Sequence, residues 1–403
     1  MKKIRPLPSK RKSTPLRNLL LVPAGILFAY VCFEFLIFHK LLPDLALNKQ
    51  EYLRKEVRIL CQSSKNSTVP GKDYIALIGD SYALGNGDWL LEADPEKNPA
   101  FHSAHLIHEQ TGRDVITFGR GGAGSIDGIA IEPVEKYFFI NNLWGFELPP
   151  PKTALIYFYE GNDLSDNLDM LERRFLPYYD AQSMDDPKYF RRFMDALVSE
   201  AAREVSWTNN LIFGRFCIKA VDKALNRTIK KIKHTVSGNS EDNSRGDTAP
   251  RNKALVGGRE VSLPNTLQSP ALELTPEEIK RALYVFEQSA AYLKDFFKDT
   301  RIIVIYVPSP LSCYDLISDS VDIQRHKQGP SIFARALVGE RSDFIASRVQ
   351  AVAQEYGLKF IDTRKALRDA AKKAFIHGPK DWKHLNQKGY EAFSEAVVLG
   401  LSQ

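Results

Sequence analysis

The stretch YIALIGDSYALG, residues 74–85, opens as an apolar run and breaks off at Gly79-Asp80-Ser81. Near-continuous hydrophobicity over so few residues marks a strand buried on both faces. Ser81 therefore stands at the carboxyl end of a buried strand, either as a turn residue or as a nucleophile that the strand aims. The tripeptide does not decide between them: by average residue usage it turns up in roughly one chain of this size in ten.

Four more runs share this character: DVITFG (114–119), TALIYFY (153–159), RIIVIYV (301–307) and LKFID (358–362). The segments between them are long enough for helical crossovers, which predicts an α/β fold with a mostly parallel five-stranded sheet in a three-layer sandwich. One helix is clearly signalled in LTPEEIKRALYVFEQSAAYLKDFF (274–297), with Thr275 as N-cap, Pro276 at the first helical position and Glu278 at N3. About 140 residues separate the third run from the fourth, far more than a crossover needs.

The formal charge of the 403-residue chain is +6, yet residues 1–17 hold seven Lys or Arg and no acid, so the remainder carries −1. A nearly neutral body argues against a nucleic-acid surface. The basic stretch leads into LLLVPAGILFAYVCFEFLIF (19–38), about the length that spans a bilayer. With positive charge on one flank it reads as an uncleaved signal anchor, N-terminus cytoplasmic, the rest periplasmic or extracellular. Glu34 lies near the far end of the run, within reach of the interface, and implies no intramembrane chemistry. Of the four cysteines, Cys61, Cys217 and Cys313 lie beyond the anchor with no motif spacing, which suggests neither a disulfide framework nor a metal site.

The predicted organisation is a basic tail (1–18), an anchor (19–40), a polar stalk (41–72) and one domain (73–403). That domain carries a helical insertion at about 165–270, expected to cover the site, with residues 236–266 expected to be disordered. Lys230, Lys231 and Lys233 in the insertion read as a solvated helix face in preference to one that touches a membrane surface.

In an open parallel sheet, ligands bind beyond the carboxyl ends of the strands. Gly79-Asp80-Ser81 follows the first run, GRGGAGS (119–125) the second, EGNDLSDN (160–167) the third, and DWKHLN (381–386) comes after the fifth. A serine, a glycine-rich loop, an asparagine amide and an Asp–His pair would meet on one rim. These are the parts of an acyl-transfer site.

In these four blocks the chain resembles the SGNH (GDSL-type) hydrolases, over roughly residues 73–163 and 300–400. The resemblance implies a flavodoxin-like sandwich, Ser81 as nucleophile, His384 as general base and Asp381 as its orienting acid. It also implies an oxyanion hole from the N–H groups of Ser81 and Gly122 and the amide of Asn162, without metal or organic cofactor. Two positions depart from the pattern: Thr117 stands where Asn is frequent, and Glu160 where Gly is usual. A carboxylate at 160 aimed into the oxyanion hole would oppose the developing charge. Asp80 and Asp163 read as cap and turn residues.

The function implied is hydrolysis of O-acyl or O-acetyl esters on an envelope glycan or lipid through an acyl-serine. Two alternatives remain open: an acyltransferase using the same site with a sugar acceptor, and a catalytically silent envelope-assembly binding protein. GRGGAG also fits the dinucleotide-binding G-x-G-x-x-G, but Pro133 is expected to interrupt the next helix and no acid-ended strand follows. An α/β-hydrolase elbow is excluded because Ser81 follows the first strand. His102, His105 and His108 share a predicted helix and read as polar edge positions, since no carboxylate or cysteine completes a ligand set.

Overall fold

The computed structural model describes residues 15–87, 102–184, 186–202, 206–236 and 251–402. Each apolar run contains a strand: β1 (Ile75–Ile78), β2 (Val115–Thr117), β3 (Thr153–Tyr159), β4 (Arg301–Val307) and β5 (Lys359–Asp362). They form one sheet in the order β5-β4-β3-β1-β2, with every pairing parallel. Ile75 sets the register at its centre, opposite Val115 on one side and Thr153 on the other.

The runs are continuous because both faces of the sheet are covered. Ala76, Ile78, Ile156, Phe158 and Val304 enter one core; Ile75, Leu77, Leu155, Tyr157 and Ile305 enter the other. A fully buried Ile or Leu contributes about 1.5–3 kcal/mol relative to exposure, so a one-residue slip of register would be costly on both sides.

The helices used below are α1 (Pro15–Cys32), α2 (Ser81–Leu84), α3 (Ser103–Thr111), α4 (Glu132–Asn141), α5 (Asp163–Met170), α6 (Pro187–Ala202), α7 (Ile212–Val236), α8 (Pro276–Phe296), α9 (Ala336–Glu355), α10 (Arg364–Ala371) and α11 (Gln387–Ser402). Helices α4, α8 and α9 cover the first face through Val134, Phe286 and Ile345, while α3, α10 and α11 cover the second through Ile107, Leu367 and Phe393. This is the expected three-layer sandwich. The N-terminus of α8 closes with the full capping box of Thr275 and Glu278.

The apolar N-terminal segment is helical, and Leu21–Asp44 is long and apolar enough to cross a membrane. Leu21, Val22, Ile26, Leu27 and Phe28 point outward, so the segment is not a core helix. Glu34 departs from the expectation that it reaches the interface. It is fully buried, and its carboxylate accepts the backbone N–H groups of Phe213 (2.6 Å) and Gly214 (2.9 Å) at the start of α7 and the Tyr30 hydroxyl (2.7 Å).

Residues 41–72 do not stand off as a stalk. Leu53, Val57, Leu60 and Cys61 are buried in the first core. The Ser64 hydroxyl and carbonyl both bond to Val115, and the Gln62 amide bridges the N–H and C=O of Thr117. An edge strand exposes unpaired backbone groups, and this segment satisfies those of β2. Its overall polarity conceals the apolar cluster that seats it.

Part of the segment expected to be disordered is ordered. Lys253–Val256 and Arg259–Ser262 form an antiparallel hairpin around Gly257-Gly258, both at positive φ. Two adjacent glycines supply the left-handed backbone of a two-residue turn at low cost. Residues 237–250 lie outside the described residues. The long helices of the insertion do not sit over the site: α6 buries Phe190, Phe193 and Met194 in the first core, and α7 meets the anchor. Pro133 does not interrupt its helix either; it lies in the first turn of α4, which continues a π-helical turn at Ile126–Ile131.

Candidate active site

In the order β5-β4-β3-β1-β2 the side on which successive strands are added switches between β1 and β3, and a crevice opens there. Ser81 follows β1 and Asn162 follows β3, so they flank the crevice. Gly79 makes the turn possible: its φ is +142°, and a Cβ there would come within 2.8 Å of the Tyr157 carbonyl. Asp80 then caps α2, accepting the Tyr82 N–H at 2.9 Å. Ser81 is the first helical residue, so its N–H has no acceptor within the helix.

The loop that carries His384 is shaped by Asp381. Asp381 Oδ1 accepts the N–H groups of Lys383 (2.9 Å) and His384 (3.3 Å), which folds 381–384 into a tight turn. The turn brings Oδ2 to 2.6 Å from His384 Nδ1. A carboxylate only accepts, so Nδ1 carries the proton and Nε2 is left bare, 2.8 Å from Ser81 Oγ. Burial works against the charge on Asp381, but the His384 bond and the two backbone donors outweigh it and hold the carboxyl below its usual range.

Residues invisible as motifs hold this loop. The Tyr82 hydroxyl, one residue after Ser81, donates to the Lys383 carbonyl at 2.7 Å, and its ring lies 5.3 Å from the His384 imidazole. Tyr159, at the end of β3, packs on Tyr82 with ring centroids 4.3 Å apart, donates to Gln268 Oε1 at 2.6 Å and reaches the same Lys383 carbonyl at 3.4 Å. Asn386 donates its amide to the Phe375 carbonyl at 3.0 Å. Beyond its partner Gln268, residues 264–268 of the insertion and 380–383 of the loop enclose a cleft of about 470 Å³.

The glycine-rich loop is fixed at both ends. Buried Lys136 donates to the carbonyls of Phe118 (2.9 Å) and Gly119 (3.1 Å) and pairs with Glu132. Asn167 Oδ1 accepts the Ser125 N–H at 2.7 Å, and its amide donates to the Ser125 hydroxyl at 2.9 Å. Between these anchors Gly122 adopts φ +69°, a conformation that favours glycine. Thr117 ties the loop to the nucleophile helix, its hydroxyl donating to the Ala83 carbonyl (2.6 Å) and accepting from Gly119 N–H (3.0 Å).

Asn162 donates one amide hydrogen to Asp166 Oδ2 at 2.9 Å, which leaves the second uncommitted. Asp166 and Gly122 border a common cleft of about 260 Å³ with Arg173 and Arg174.

Glu160 does not point into the oxyanion region. Its carboxylate is fully buried on the opposite side, where it accepts the Ser309 N–H and hydroxyl (2.8 Å each), the Ser342 hydroxyl (2.8 Å) and the Tyr306 hydroxyl. A buried carboxylate with four donors is satisfied where it stands. Asp80 and Asp163 are buried too; burial pushes Asp80 up to about 6 and Asp163 higher than the usual carboxylate range.

The three helical histidines serve separately. His102 caps α3 through the Ala104 N–H, His105 bonds the Ser63 hydroxyl (2.7 Å), and His108 bonds the Arg113 carbonyl (2.7 Å).

No protein-family model matches the chain, and no curated protein matches it in sequence. Among solved structures, an extracellular lipase from Streptomyces rimosus is similar at 13% identity, over 83% of this chain and 100% of the lipase, with a TM-score of 0.37. A second is similar at 11% identity, over 82% of this chain and 98% of its own, with a TM-score of 0.32. Likeness at this level carries no argument about activity; the side chains have to.

Proposed function

We propose that this chain is a membrane-anchored serine esterase of the SGNH type, acting on O-acyl or O-acetyl esters of an envelope glycan or lipid. The observation that carries the reading is the unbroken chain from Asp381 through His384 to Ser81, closed at the sheet's switch point. In this reading His384 Nε2 takes the Ser81 proton as Oγ attacks the ester carbonyl. The tetrahedral oxyanion is met by the N–H groups of Ser81 and Gly122 and the free hydrogen of the Asn162 amide. The imidazolium, stabilised by Asp381, returns the proton to the departing alkoxide and leaves an acyl-serine. Water, deprotonated by the same His384, attacks the acyl carbon and Ser81 leaves with the proton. No step calls on a metal or an organic cofactor.

The test is a fluorophosphonate probe applied to the detergent-solubilised full chain. Labelling of the wild type, absent from Ser81→Ala and His384→Ala, supports an activated serine. Folded wild type that takes no label sinks the nucleophile and favours a binding role. A sugar hydroxyl competing with water for the acyl group separates hydrolysis from transfer to a sugar.

A further inference from the structure

Helix α7 lies at the membrane end of the molecule and has an unpartnered apolar face. Its inner side is accounted for: Ile212 is buried, Phe216 packs on Phe38 (ring centroids 5.6 Å apart) and Tyr52 (5.4 Å), and Lys223 pairs with Glu51. At 100° per residue, Ile218 falls about 200° round the axis from Phe216, and Val221 and Leu225 continue that outer stripe at i+3 and i+7. These three side chains, with Trp144 and Trp207 close by in the chain or the fold, are between 59% and 74% exposed.

Two observations say what covers that stripe. The first is continuity with the anchor. Glu34 receives the first N–H groups of α7, Phe213 packs on Phe33 at 4.6 Å, and Trp144 packs edge-on against Phe35 at 5.1 Å. Trp144 N–H also bonds Asn210 just before α7, at 2.5 Å. Glu34 stands four residues before the end of the apolar run 19–38, about 6 Å along a helix, so α7 starts close to the bilayer surface. The second is charge: residues 212–236 hold seven Lys or Arg against the single acid Asp222. A basic helix with an apolar stripe and flanking Trp is the composition of a helix that lies in the lipid interface.

We infer that α7 is an interfacial membrane helix whose Ile218, Val221 and Leu225 insert into the leaflet the anchor exits. The inference rests on the anchor of the proposed function but not on its chemistry. Glu34 thereby has a purpose in an apolar segment. Its charge is met by the helix N-terminus it caps, and it couples the orientation of α7 to that of α1. With the transmembrane helix and α7 both engaged, the domain is held at one tilt against the bilayer instead of swinging on a tether.

The test uses the full chain in vesicles of phosphatidylcholine and phosphatidylglycerol, carrying nitroxide lipids labelled near the headgroup or near the bilayer centre. In a Cys32→Ser, Cys217→Ser background, an environment-sensitive fluorophore is placed at Ile26→Cys, Val221→Cys, Leu225→Cys or Lys365→Cys. Lys365 lies on α10, beside the sheet edge far from β2. The expected result is deep quenching at 26 and shallow quenching at 221 and 225, at least ~3-fold above that at 365. Quenching at 221 and 225 no greater than at 365, with 26 still quenched, overturns the interfacial helix and leaves the anchor standing. Loss of quenching at 26 as well overturns both, and neither outcome bears on Ser81. Matching far-ultraviolet circular dichroism establishes that each variant is folded.

Discussion

The Tyr82 hydroxyl donates to the Lys383 carbonyl at 2.7 Å across 301 residues of sequence. The helix that carries Ser81 therefore also holds the loop that carries His384, with Tyr159 reaching the same carbonyl at 3.4 Å. Tyr82→Phe keeps the packing on Tyr159 and removes only this bond. Its expected effect is a fall in kcat of about 10-fold with KM little changed, as for loss of a positioning hydrogen bond. A larger change in KM than in kcat would show that Tyr82 binds substrate instead. Ester hydrolysis kinetics on the purified full chain decide it.

Asp381 both folds its turn and orients His384. Asp381→Asn keeps an acceptor for the backbone but turns the Oδ2 partner into an ambiguous amide that admits the wrong imidazole tautomer. Fluorophosphonate labelling rates should fall by about 10²–10⁴-fold, while the melting temperature stays close to wild type.

Asn162 offers one unspent amide hydrogen at the crevice. Asn162→Ala is expected to lower kcat by about 10²–10³-fold, roughly 3–4 kcal/mol of transition-state stabilisation, with little effect on KM. Unchanged kcat would remove Asn162 from the oxyanion hole.

Glu160 separates a structural carboxylate from an inhibitory one. Four donors converge on it, and Glu160→Ala leaves the Ser309 N–H and the Ser342 hydroxyl without an acceptor, while the Ser309 hydroxyl keeps Ser312 and the Tyr306 hydroxyl keeps the Ser342 carbonyl. Loss of stability of several kcal/mol is expected, at about 1–3 kcal/mol per orphaned group, with Glu160→Gln costing less. Activity per folded molecule should not rise. A gain in kcat for Glu160→Gln would mean that the charge does oppose the oxyanion.

Buried His377 bonds the Tyr314 hydroxyl, and burial pushes its pKa down to about 3. In the unfolded chain it protonates near 6.5. Between these values the unfolded state binds the extra proton, so the contribution of a neutral His377 is present above about pH 6.5 and is lost as pH falls toward 3. The stability difference between wild type and His377→Gln should shrink by about 1.4 kcal/mol per pH unit from pH 6 to pH 4. Denaturant titrations in a fixed detergent at several pH values measure it. A pH-independent difference would place the charged imidazole in the native state.

The five sheet strands are legible in the chain because burial on both faces requires continuous apolar runs, and no other local structure of that length and composition competes. Ser81, Asn162, Asp381 and His384 are legible for a related reason: each belongs to a short block beside a strand end or within one tight turn. The hairpin around Gly257-Gly258 was legible too, through its paired glycines, but the polar residues before it masked the signal. Leu53, Val57 and Leu60 were hidden in the same way by the charged residues interleaved among them.

Other relationships have no local signature. Lys136 and Asn167 pin the glycine loop from helices that follow different strands, and Tyr82 and Tyr159 read as ordinary core aromatics until Lys383 is placed above them. Glu34 reads as a stray charge in an apolar helix until Phe213 and Gly214 bring their N–H groups to it. The sequence by itself determined the strands, their parallel sense and the chemical types available at their ends, because those depend on composition and spacing within a few residues. Only the tertiary structure decided which face Glu160 served, what Glu34 capped and which rings hold the loop that carries His384. A hydrogen bond between residues 150 or 300 apart depends on strand order and helix packing, and no short stretch of the chain contains that information.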